Sequence, residues 1–472
     1  MSEHATPGPG PVPTPRLSDA NPPGSGSPDS HPSATRPSDT HASAPRSPAP
    51  LSPATGPSTP FPSASSPSVP PPSLTSLGAA GRRRVAHAVQ RVTATALGPY
   101  QSAVLRIGFA GTWLLFLLRE VPHRRELYGP DGPWSWDMAR QLIARNHAFT
   151  ALMWSDSAVW FEAVFAVAVL SSALLMLGWR TRTMSVIFML GVLSLQNRSI
   201  FVGDGGDNVV HLMAIYLVLT RCGRVWSLDA RRAATAARAA ATAPVRDRVG
   251  PVLWGVMAVP LLVGTVTDGV TVEVWLLVLC WGMWATQGLW WLANRRGPTG
   301  EARALLDVFA NILHNGALLV IMAEVCLIYA TAGWYKIQGS RWQDGTALYY
   351  PLKLDYFSPW PGLSDLLAAN GIVVLLLTYG TVAVQVAFPF ALLNRRVKNV
   401  LLVVMMLEHL GIAVLLGLPF FSLAMITADA VFLPTGFLLW LGGRVATRPR
   451  RPVPKSGGAP APRVPVPSSG EQ

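Results

Sequence analysis

Three groups of polar and ionisable residues interrupt long apolar stretches of this chain, and these residues are the ones that could do chemistry. They lie at residues 196–211, 332–345 and 408–429. An ionisable residue within a membrane-spanning segment costs about 2.5–3.5 kcal/mol on insertion scales, so each one calls for a structural or functional explanation.

The first group surrounds a glycine-rich turn. Asp207 and His211 are four residues apart, so a helix would place them on one face. Because histidine can act as an acid or a base near neutral pH, His211 with Arg198, Asp204 and Asp207 would form a reactive polar pocket. The structural alternative is that Asp207 or Asn208 caps the following helix while Arg198 pairs with Asp204.

A metal site is the weaker interpretation of the same residues. A metal ion needs three or four converging ligands. His211, Asp207, Glu408 and His409 could supply them only if their helices converge, and no HExxH-like spacing is present. We therefore predict no metal.

The second group contains Lys336, one of only four lysines in a chain with 34 arginines. Lysine can lose its proton when it is desolvated, whereas arginine practically cannot, so a lysine among Trp334, Tyr335 and Trp342 could serve as a base. The alternative is a snorkelling lysine within an interfacial belt of aromatic residues.

The third group places Glu408 and His409 together in one apolar stretch and Asp429 in the next, while Glu324 interrupts an earlier stretch. Such groups often hydrogen-bond across helices and fix the packing of a bundle. They can also form a proton path. The sequence leaves both interpretations open.

The elements that must position these residues are membrane helices. The chain has 472 residues, of which 50% are hydrophobic and 13% charged, against about 25% charged residues in soluble domains. A bilayer core of about 30 Å needs roughly 20 apolar residues per helix. Ten segments meet this need approximately: 101–121, 158–177, 184–202, 208–222, 251–266, 271–292, 305–335, 371–394, 399–416 and 420–441. We predict an all-α polytopic membrane protein with about ten transmembrane helices.

The arginines predict the orientation of these helices. They cluster before the first segment and after the second, fourth, sixth, eighth and tenth, so every second loop is basic. Basic loops stay in the cytoplasm, which predicts a multi-pass cell-membrane protein with both termini cytoplasmic. The net charge of +13 is thereby explained. Because no folded basic domain is present, we predict no binding of nucleic acid.

The composition also divides the chain. Residues 1–85 are rich in proline and serine and predict a disordered cytoplasmic tail, and residues 446–472 predict a second, basic one. Between them, residues 86–445 form the transmembrane domain, in which 251–292 have the pattern of an inserted helical hairpin. The three scattered cysteines predict no disulfide framework.

Several short motifs together resemble one membrane family. They are Arg106-Ile107-Gly108, Asn197-Arg198 followed by Gly203-Asp204-Gly205-Gly206-Asp207, Ala332-Gly333-Trp334-Tyr335-Lys336 with Trp342, and Glu408-His409-Leu410-Gly411. In combination they resemble the horizontally transferred transmembrane (HTTM) domain, which vitamin K-dependent gamma-carboxylases share with many bacterial proteins. The resemblance covers about residues 101–441 without 251–292.

The resemblance implies quinol chemistry. In the carboxylases a lysine of an Ala-Gly-x-Lys-Lys segment deprotonates a reduced vitamin K quinol. The second lysine of that segment matches Lys336, the first is Tyr335 here, and a histidine with a catalytic role matches His211. The implied cofactor is a menaquinone or vitamin K-type quinol. No counterpart of the carboxylases' large lumenal β-rich domain is present, so we expect quinol chemistry without glutamate carboxylation.

The resemblance and the polar groups together predict the site. Lys336 and His211 are the expected catalytic residues. The expected substrate-binding residues are Arg198, Asp204, Asp207, Trp334, Tyr335, Trp342, Glu408 and His409. Membrane lipids and a lipid-soluble quinone are the expected partners, and the sequence identifies no protein partner.

Two other functions remain open. A proton-coupled transporter would relay protons through Asp207, Glu324, Glu408 and Asp429. A non-catalytic membrane scaffold would instead bind its partners through the proline-rich tail.

Overall fold

The computed structural model describes residues 74–146, 148–199, 201–239, 249–266, 274–296 and 300–446. The chain divides into two units, Met1–Pro71 and Pro72–Gln472, and every described residue lies in the second. Most of the two predicted tails therefore lies outside the described residues. The described residues form helices and no strand, which confirms the all-α prediction.

The α-helices follow one another along the chain with short connections. In order they are α1 Leu74–Ala94, α2 Pro99–Glu120, α3 Arg124–Tyr128, α4 Trp136–Asn146, α5 Ala158–Leu177, α6 Thr181–Gln196, α7 Gly205–Leu219, α8 Leu228–Ala239, α9 Val249–Val266, α10 Val274–Arg296, α11 Glu301–Gln338, α12 Ser340–Gln343, α13 Tyr349–Lys353, α14 Pro361–Ala368, α15 Gly371–Ala391, α16 Arg395–Leu415, α17 Pro419–Asp429 and α18 Thr435–Ala446. Short 3-10 helices lie at Val121–His123, Ala151–Trp154, Asp355–Phe357 and Ala430–Phe432.

Six of the described helices are long and apolar enough to cross a membrane, which supports a multi-pass membrane protein. They are α2 with its continuation to Tyr128, α5, α9, α11, α15 and α16. A seventh span is obtained if α17 and α18, which are bent by 115° from each other, count as one.

By length and composition, the described helices support six or seven of the ten predicted spans. Each of the ten predicted segments overlaps a helix. However, α6 and α7 have only 16 and 15 residues, which is short for a membrane span. α10 is long enough, but it carries five tryptophans and is less apolar than the six spanning helices.

Helix α2 lies at the centre of the bundle, where it packs against α5, α7 and α17. Its apolar residues recur at helical spacing, and Leu105, Phe109, Trp113 and Leu117 are all buried. Within a bilayer this close packing replaces the hydrophobic effect as the main source of helix association.

Arg106 joins this central helix to two neighbouring segments. The side chain is fully buried, and its three nitrogens donate to the carbonyl oxygens of Leu175 (2.6 Å), Met176 (2.6 Å), Cys222 (3.2 Å) and Trp226 (2.7 Å). The last carbonyls of a helix have no partner within the helix. Arg106 therefore satisfies the end of α5 and fixes the loop that follows α7.

The last predicted helix, 420–441, is broken in the structure. α17 ends at Asp429, a 3-10 turn follows, and α18 starts at Thr435. Pro434 explains the break, because proline disfavours the helical conformation of the residue before it, and Leu433 is extended with φ −62° and ψ 136°.

The structure also contains a helix that hydropathy did not predict. α1 begins at Leu74, inside the segment 1–85 that we predicted to be disordered, and packs against α11. Asn311 and Asn315 of α11 donate to the Thr93 and Val92 carbonyls at its end. Its arginines lower its hydropathy, so a search for apolar stretches does not find this helix.

The predicted hairpin corresponds to α9 and α10, which pack against each other. The rings of Trp254 and Trp284 stack at 4.1 Å between centroids, and each indole nitrogen donates to the other residue's carbonyl at 2.9 Å. These reciprocal contacts hold the two helices together.

Candidate functional site

Lys336 is linked to Glu408 through a glutamine. The Lys336 Nζ donates to Gln385 Oε1 at 2.7 Å, and Gln385 Nε2 donates to Glu408 Oε1 at 2.6 Å. The three side chains come from α11, α15 and α16. The structure thus brings together two of the predicted site residues, Lys336 and Glu408, through a residue that was not predicted.

A close approach of α11 and α15 makes this link feasible. A Cβ atom at Gly333 would lie 2.7 Å from the Val386 side chain, so only glycine fits at this contact. Gly333 lies three residues before Lys336, and Val386 directly follows Gln385. The glycine therefore lets the lysine reach the glutamine.

The aromatic residues around Lys336 have different positions. The Lys336 Nζ lies 5.2 Å from the centroid of the Trp342 ring, within the range of a cation–π contact. Trp334 and Tyr335 are 61% and 74% exposed. Trp342 is thus positioned to stabilise the ammonium, whereas Trp334 and Tyr335 form an exposed aromatic surface beside it.

A second set of hydrogen bonds begins at the residue following Glu408. Tyr329 donates its hydroxyl to Asp429 Oδ1 at 2.9 Å and lies 3.0 Å from His409 Nε2. All three side chains are buried. Since the tyrosine proton points to Asp429, this network assigns the histidine proton to Nε2 and leaves Nδ1 as an acceptor. We call Tyr329, Lys336, Gln385, Glu408, His409 and Asp429 the lysine cluster.

Three buried polar atoms beside this second set have no hydrogen-bond partner among the described residues. They are His409 Nδ1, Asp429 Oδ2 and Ser422 Oγ. A buried polar group without a partner costs about 1–3 kcal/mol, so such groups are usually satisfied by water or a ligand. Their concentration on α16 and α17 indicates a place for bound water or a ligand at this junction.

Both acidic residues of the turn between α6 and α7 have a structural role. Asp204 Oδ1 accepts from the backbone nitrogens of Gly206 (2.6 Å) and Asp207 (3.2 Å), and Asp207 Oδ2 accepts from Asp204 N (2.8 Å). This reciprocal arrangement is a capping box. The cap is Asp204, so the expectation that Asp207 or Asn208 caps the helix is wrong.

Arg198 does not pair with Asp204 as expected. It is buried, and its Nη2 donates to the carbonyl oxygens of Gly129 (2.8 Å) and Trp134 (2.9 Å). The guanidinium lies among backbone acceptors of the segment between α3 and α4, so Arg198 holds this segment against the bundle.

His211 contacts a glutamine instead of Asp207. Its Nδ1 lies 3.0 Å from Gln196 Oε1, and Gln196 Nε2 donates to the Asp207 carbonyl at 2.8 Å. A cavity of about 260 Å³ lies beside them, with Asp204 and Asp207 in its wall. We call Gln196, Arg198, Asp204, Asp207 and His211 the turn cluster.

The turn cluster and the lysine cluster meet at Phe421. A Cβ atom at Gly206 would lie 2.5 Å from the Phe421 backbone, so α7 begins directly against α17. The Phe421 ring lies 5.6 Å from the His409 ring. The two clusters are thus neighbours that share one aromatic residue.

Glu324, an ionisable residue of the predicted groups, lies apart from the lysine cluster. Glu324 accepts from the Tyr216 hydroxyl at 3.2 Å. The described hydrogen bonds therefore do not place Glu324 in a relay with Glu408 and Asp429.

Among the described residues, no group of three or more His, Cys, Asp or Glu side chains could hold a metal ion.

Sequence reasoning missed Gln385 and Tyr329, which connect the ionisable residues. Gln385 is uncharged, so a search for ionisable residues passed over it, although an amide in the apolar stretch of α15 was a usable signal. Tyr329 counted as one more aromatic residue of α11, and nothing in the sequence showed that its hydroxyl would be buried.

The comparisons with known proteins do not assign a function. No family model, curated protein or solved structure matches this chain.

Proposed function

We propose that this protein is a membrane protein of the HTTM type that binds a lipid-soluble quinol and takes up a proton from it at Lys336. The observation that carries the proposal is the hydrogen-bonded series Lys336–Gln385–Glu408, which ends in a lysine at the extremity of a membrane-spanning helix. The similarity of the sequence motifs to the carboxylases suggests the same chemistry.

The proton transfer follows from the contacts of Lys336. A neutral amine would accept the proton of a quinol hydroxyl, which leaves a quinolate and an ammonium. Gln385 Oε1 accepts from the ammonium, the Trp342 ring faces it, and the Glu408 carboxylate lies beyond the glutamine amide. All three groups stabilise the charged product, so they favour proton uptake.

The surroundings suit a substrate that arrives from the bilayer. Trp334 and Tyr335 are exposed on α11 next to Lys336 and offer faces on which a quinone ring could stack. The catalytic role implied for His211 remains a prediction. Because Gln196 contacts its Nδ1, the nitrogen that could act is Nε2.

The test is whether a quinone co-purifies and depends on Lys336. The protein is purified in detergent, its lipids are extracted, and menaquinone is quantified by mass spectrometry for wild type, Lys336→Met and the control Lys353→Met. Lys353 lies outside the spanning helices, and its hydrogen bond to Asp365 (2.7 Å) raises the pKa of its ammonium, so the control removes a charged lysine elsewhere.

We expect one quinone per wild-type and control protein, and its loss from Lys336→Met. In an anaerobic titration with menaquinol, the long-wavelength absorbance of the quinolate should likewise disappear in Lys336→Met. If wild type binds no added quinol, or if Lys336→Met forms quinolate as wild type does, the proposal is wrong.

A proton-coupled transporter is the alternative that one observation favours, namely the buried Tyr329–His409–Asp429 set with its unpartnered atoms. Under this alternative, Asp429→Asn would abolish proton-coupled uptake in proteoliposomes, while Lys336→Met would leave uptake intact. No proton-coupled uptake by the wild type, together with quinone binding that depends on Lys336, supports the quinol proposal instead.

We also propose ten spans in the cell membrane with both termini cytoplasmic, on the basis of the arginine pattern. Tyr356 and Thr235 are exposed and belong to predicted outer and inner loops, respectively. A membrane-impermeant maleimide should label Tyr356→Cys in intact cells and Thr235→Cys only after permeabilisation. The opposite pattern would invert the topology.

A further inference from the structure

A basic cavity lies at the end of α11 remote from Lys336. Its volume is about 400 Å³, and four arginines and one aspartate line it: Arg180, Arg182, Arg221, Arg224 and Asp229. Arg221 is anchored to Asp307 of α11 at 2.7 Å. Asp307 precedes Lys336 by 29 residues, which at 1.5 Å per residue is about 44 Å along the helix. The cavity is therefore separate from the lysine cluster.

The aspartate of the cavity is already used by the fold. Asp229 accepts from the backbone nitrogens of Arg180 (2.9 Å) and Thr181 (2.8 Å) and from the Thr181 hydroxyl (3.0 Å). It thereby caps α6. Its carboxylate oxygens face the start of that helix and are therefore already engaged by the fold.

Two of the cavity arginines are exposed and form no ion pair with a described carboxylate. Arg182 and Arg224 are exposed, and neither has an acidic partner within 4.0 Å among the described residues. The guanidinium groups of Arg182 and Arg224 line the same cavity and repel each other, and a bound anion would relieve this repulsion. The planar guanidinium also matches the geometry of phosphate oxygens, with which it forms paired hydrogen bonds.

The hairpin α9–α10 forms the other wall of this cavity through Gly250, Trp254 and Gln287. Trp290 of the same hairpin stacks on the arginines, with its ring centroid 3.9 Å from Arg182 Cζ and 4.5 Å from Arg303 Cζ. The hairpin, which the sequence predicted to be an insert, therefore forms one wall of the basic cavity.

An apolar extension leads away from the arginines. A second cavity of about 260 Å³ shares Arg180, Arg182, Gly250, Trp254 and Gln287 with the first and continues to Pro251, Trp290 and Trp291. The combined space is basic at one end and lined by tryptophan at the other. Amphipathic tryptophan is typical of the zone where lipid headgroups meet acyl chains.

We propose that this arginine cavity binds a phosphate group and that the α9–α10 hairpin completes the site. The tryptophan-lined extension favours an anionic phospholipid as the source of the phosphate, with the start of its acyl chains against α9 and α10. The loops that carry these arginines are those predicted to be cytoplasmic, where basic pockets between helices bind anionic headgroups.

The test uses the purified full-length protein and native mass spectrometry with phosphatidylglycerol or phosphatidylcholine. We expect wild type to retain phosphatidylglycerol selectively and Arg182→Gln/Arg224→Gln to bind it roughly tenfold more weakly. Arg238→Gln is the matched control, because Arg238 is an exposed arginine of α8 outside the cavity wall.

A parallel thermal-shift titration with inorganic phosphate separates the two sources of the group. One outcome is that phosphate stabilises the wild type but not the double variant, while the wild type retains no phosphatidylglycerol. This outcome would assign the site to a soluble phosphate compound and overturn the lipid assignment. If the double variant does not fold, Arg224→Gln alone is used, since Arg224 is exposed. Equal binding of both lipids without a phosphate effect, or equal losses in Arg238→Gln, would overturn the proposal.

Discussion

The turn cluster and the lysine cluster lie next to each other, yet their polar side chains have different partners. In the turn cluster most of them serve the backbone: Asp204 caps α7, and Arg198 donates to two carbonyl oxygens, while His211 contacts the Gln196 side chain. In the lysine cluster, side chains bond to side chains, as in Lys336–Gln385 and Tyr329–Asp429.

The difference follows from what each side chain can reach and not from position along the helix, since Lys336 lies in the last turn of α11 and Asp429 is the last residue of α17. Helix ends and turns leave backbone groups without partners, and nearby polar side chains satisfy them. Arg106 inside α2 serves the backbone in this way, whereas Gln385 and Glu408 inside α15 and α16 bond to each other's side chains. A buried polar residue that bonds to another side chain is therefore better evidence of function than one that satisfies the backbone.

Removal of Arg198 should have the largest effect on stability. Arg198→Met leaves the buried Gly129 carbonyl and the half-buried Trp134 carbonyl without their donor. Hydrogen bonds to a charged group contribute about 1.5–3 kcal/mol each, so we expect a loss of about 3 kcal/mol or more. Fluorescence-detected size-exclusion chromatography should show little folded protein, with unchanged quinone content per folded molecule. If Arg198→Met folds normally but contains no quinone, Arg198 belongs to the quinone site, and the contrast between the turn cluster and the lysine cluster is wrong.

Substitution of Glu408 should affect function with little effect on folding. Glu408→Gln keeps an oxygen that can accept from Gln385 Nε2 but removes the ionisable group. We expect quinol binding to persist while the quinolate fraction falls roughly tenfold, equivalent to about 1.4 kcal/mol. Absorbance under anaerobic conditions measures this fraction. An unchanged spectrum would show that Glu408 only fixes the packing of α15 and α16.

Removal of the helix cap should give the smallest effect. Asp204→Ala loses the acceptor for two backbone nitrogens at the start of α7. Loss of such a cap costs about 1 kcal/mol, which a thermal unfolding measurement should detect. Asn208→Ala, which removes an exposed amide in the same turn, is the control. A loss of quinone in Asp204→Ala would extend the site into the turn.

The sequence was sufficient to find the long apolar helices, because apolar stretches of membrane length leave few alternatives, but it did not reveal the arginine-containing α1. It also found Lys336 and Glu408, since ionisable residues are rare inside such stretches. It did not find Gln385, because the contact depends on the close packing of α11 against α15 at Gly333.

Other differences have equally local causes. Asp204 and Asp207 are both good capping residues, and only the backbone geometry at Asp204 decides between them. Arg198 was assigned to the nearest carboxylate in sequence, although carbonyl oxygens more than sixty residues earlier are its partners. Contacts between residues that are distant in sequence could not be predicted from one sequence.

The carbonyl partners of Arg106 have a consequence for the synthesis of the protein. They lie 69 to 120 residues after it in the chain. At about 5–20 residues per second, roughly 6–24 s pass before the last acceptor is made. During that time α2 carries an arginine whose insertion costs about 2.5–3.5 kcal/mol without compensation. Stable integration of α2 therefore depends on the arrival of later segments, so a nascent chain that ends at Leu219 should resist carbonate extraction less well than one that ends at Ser227.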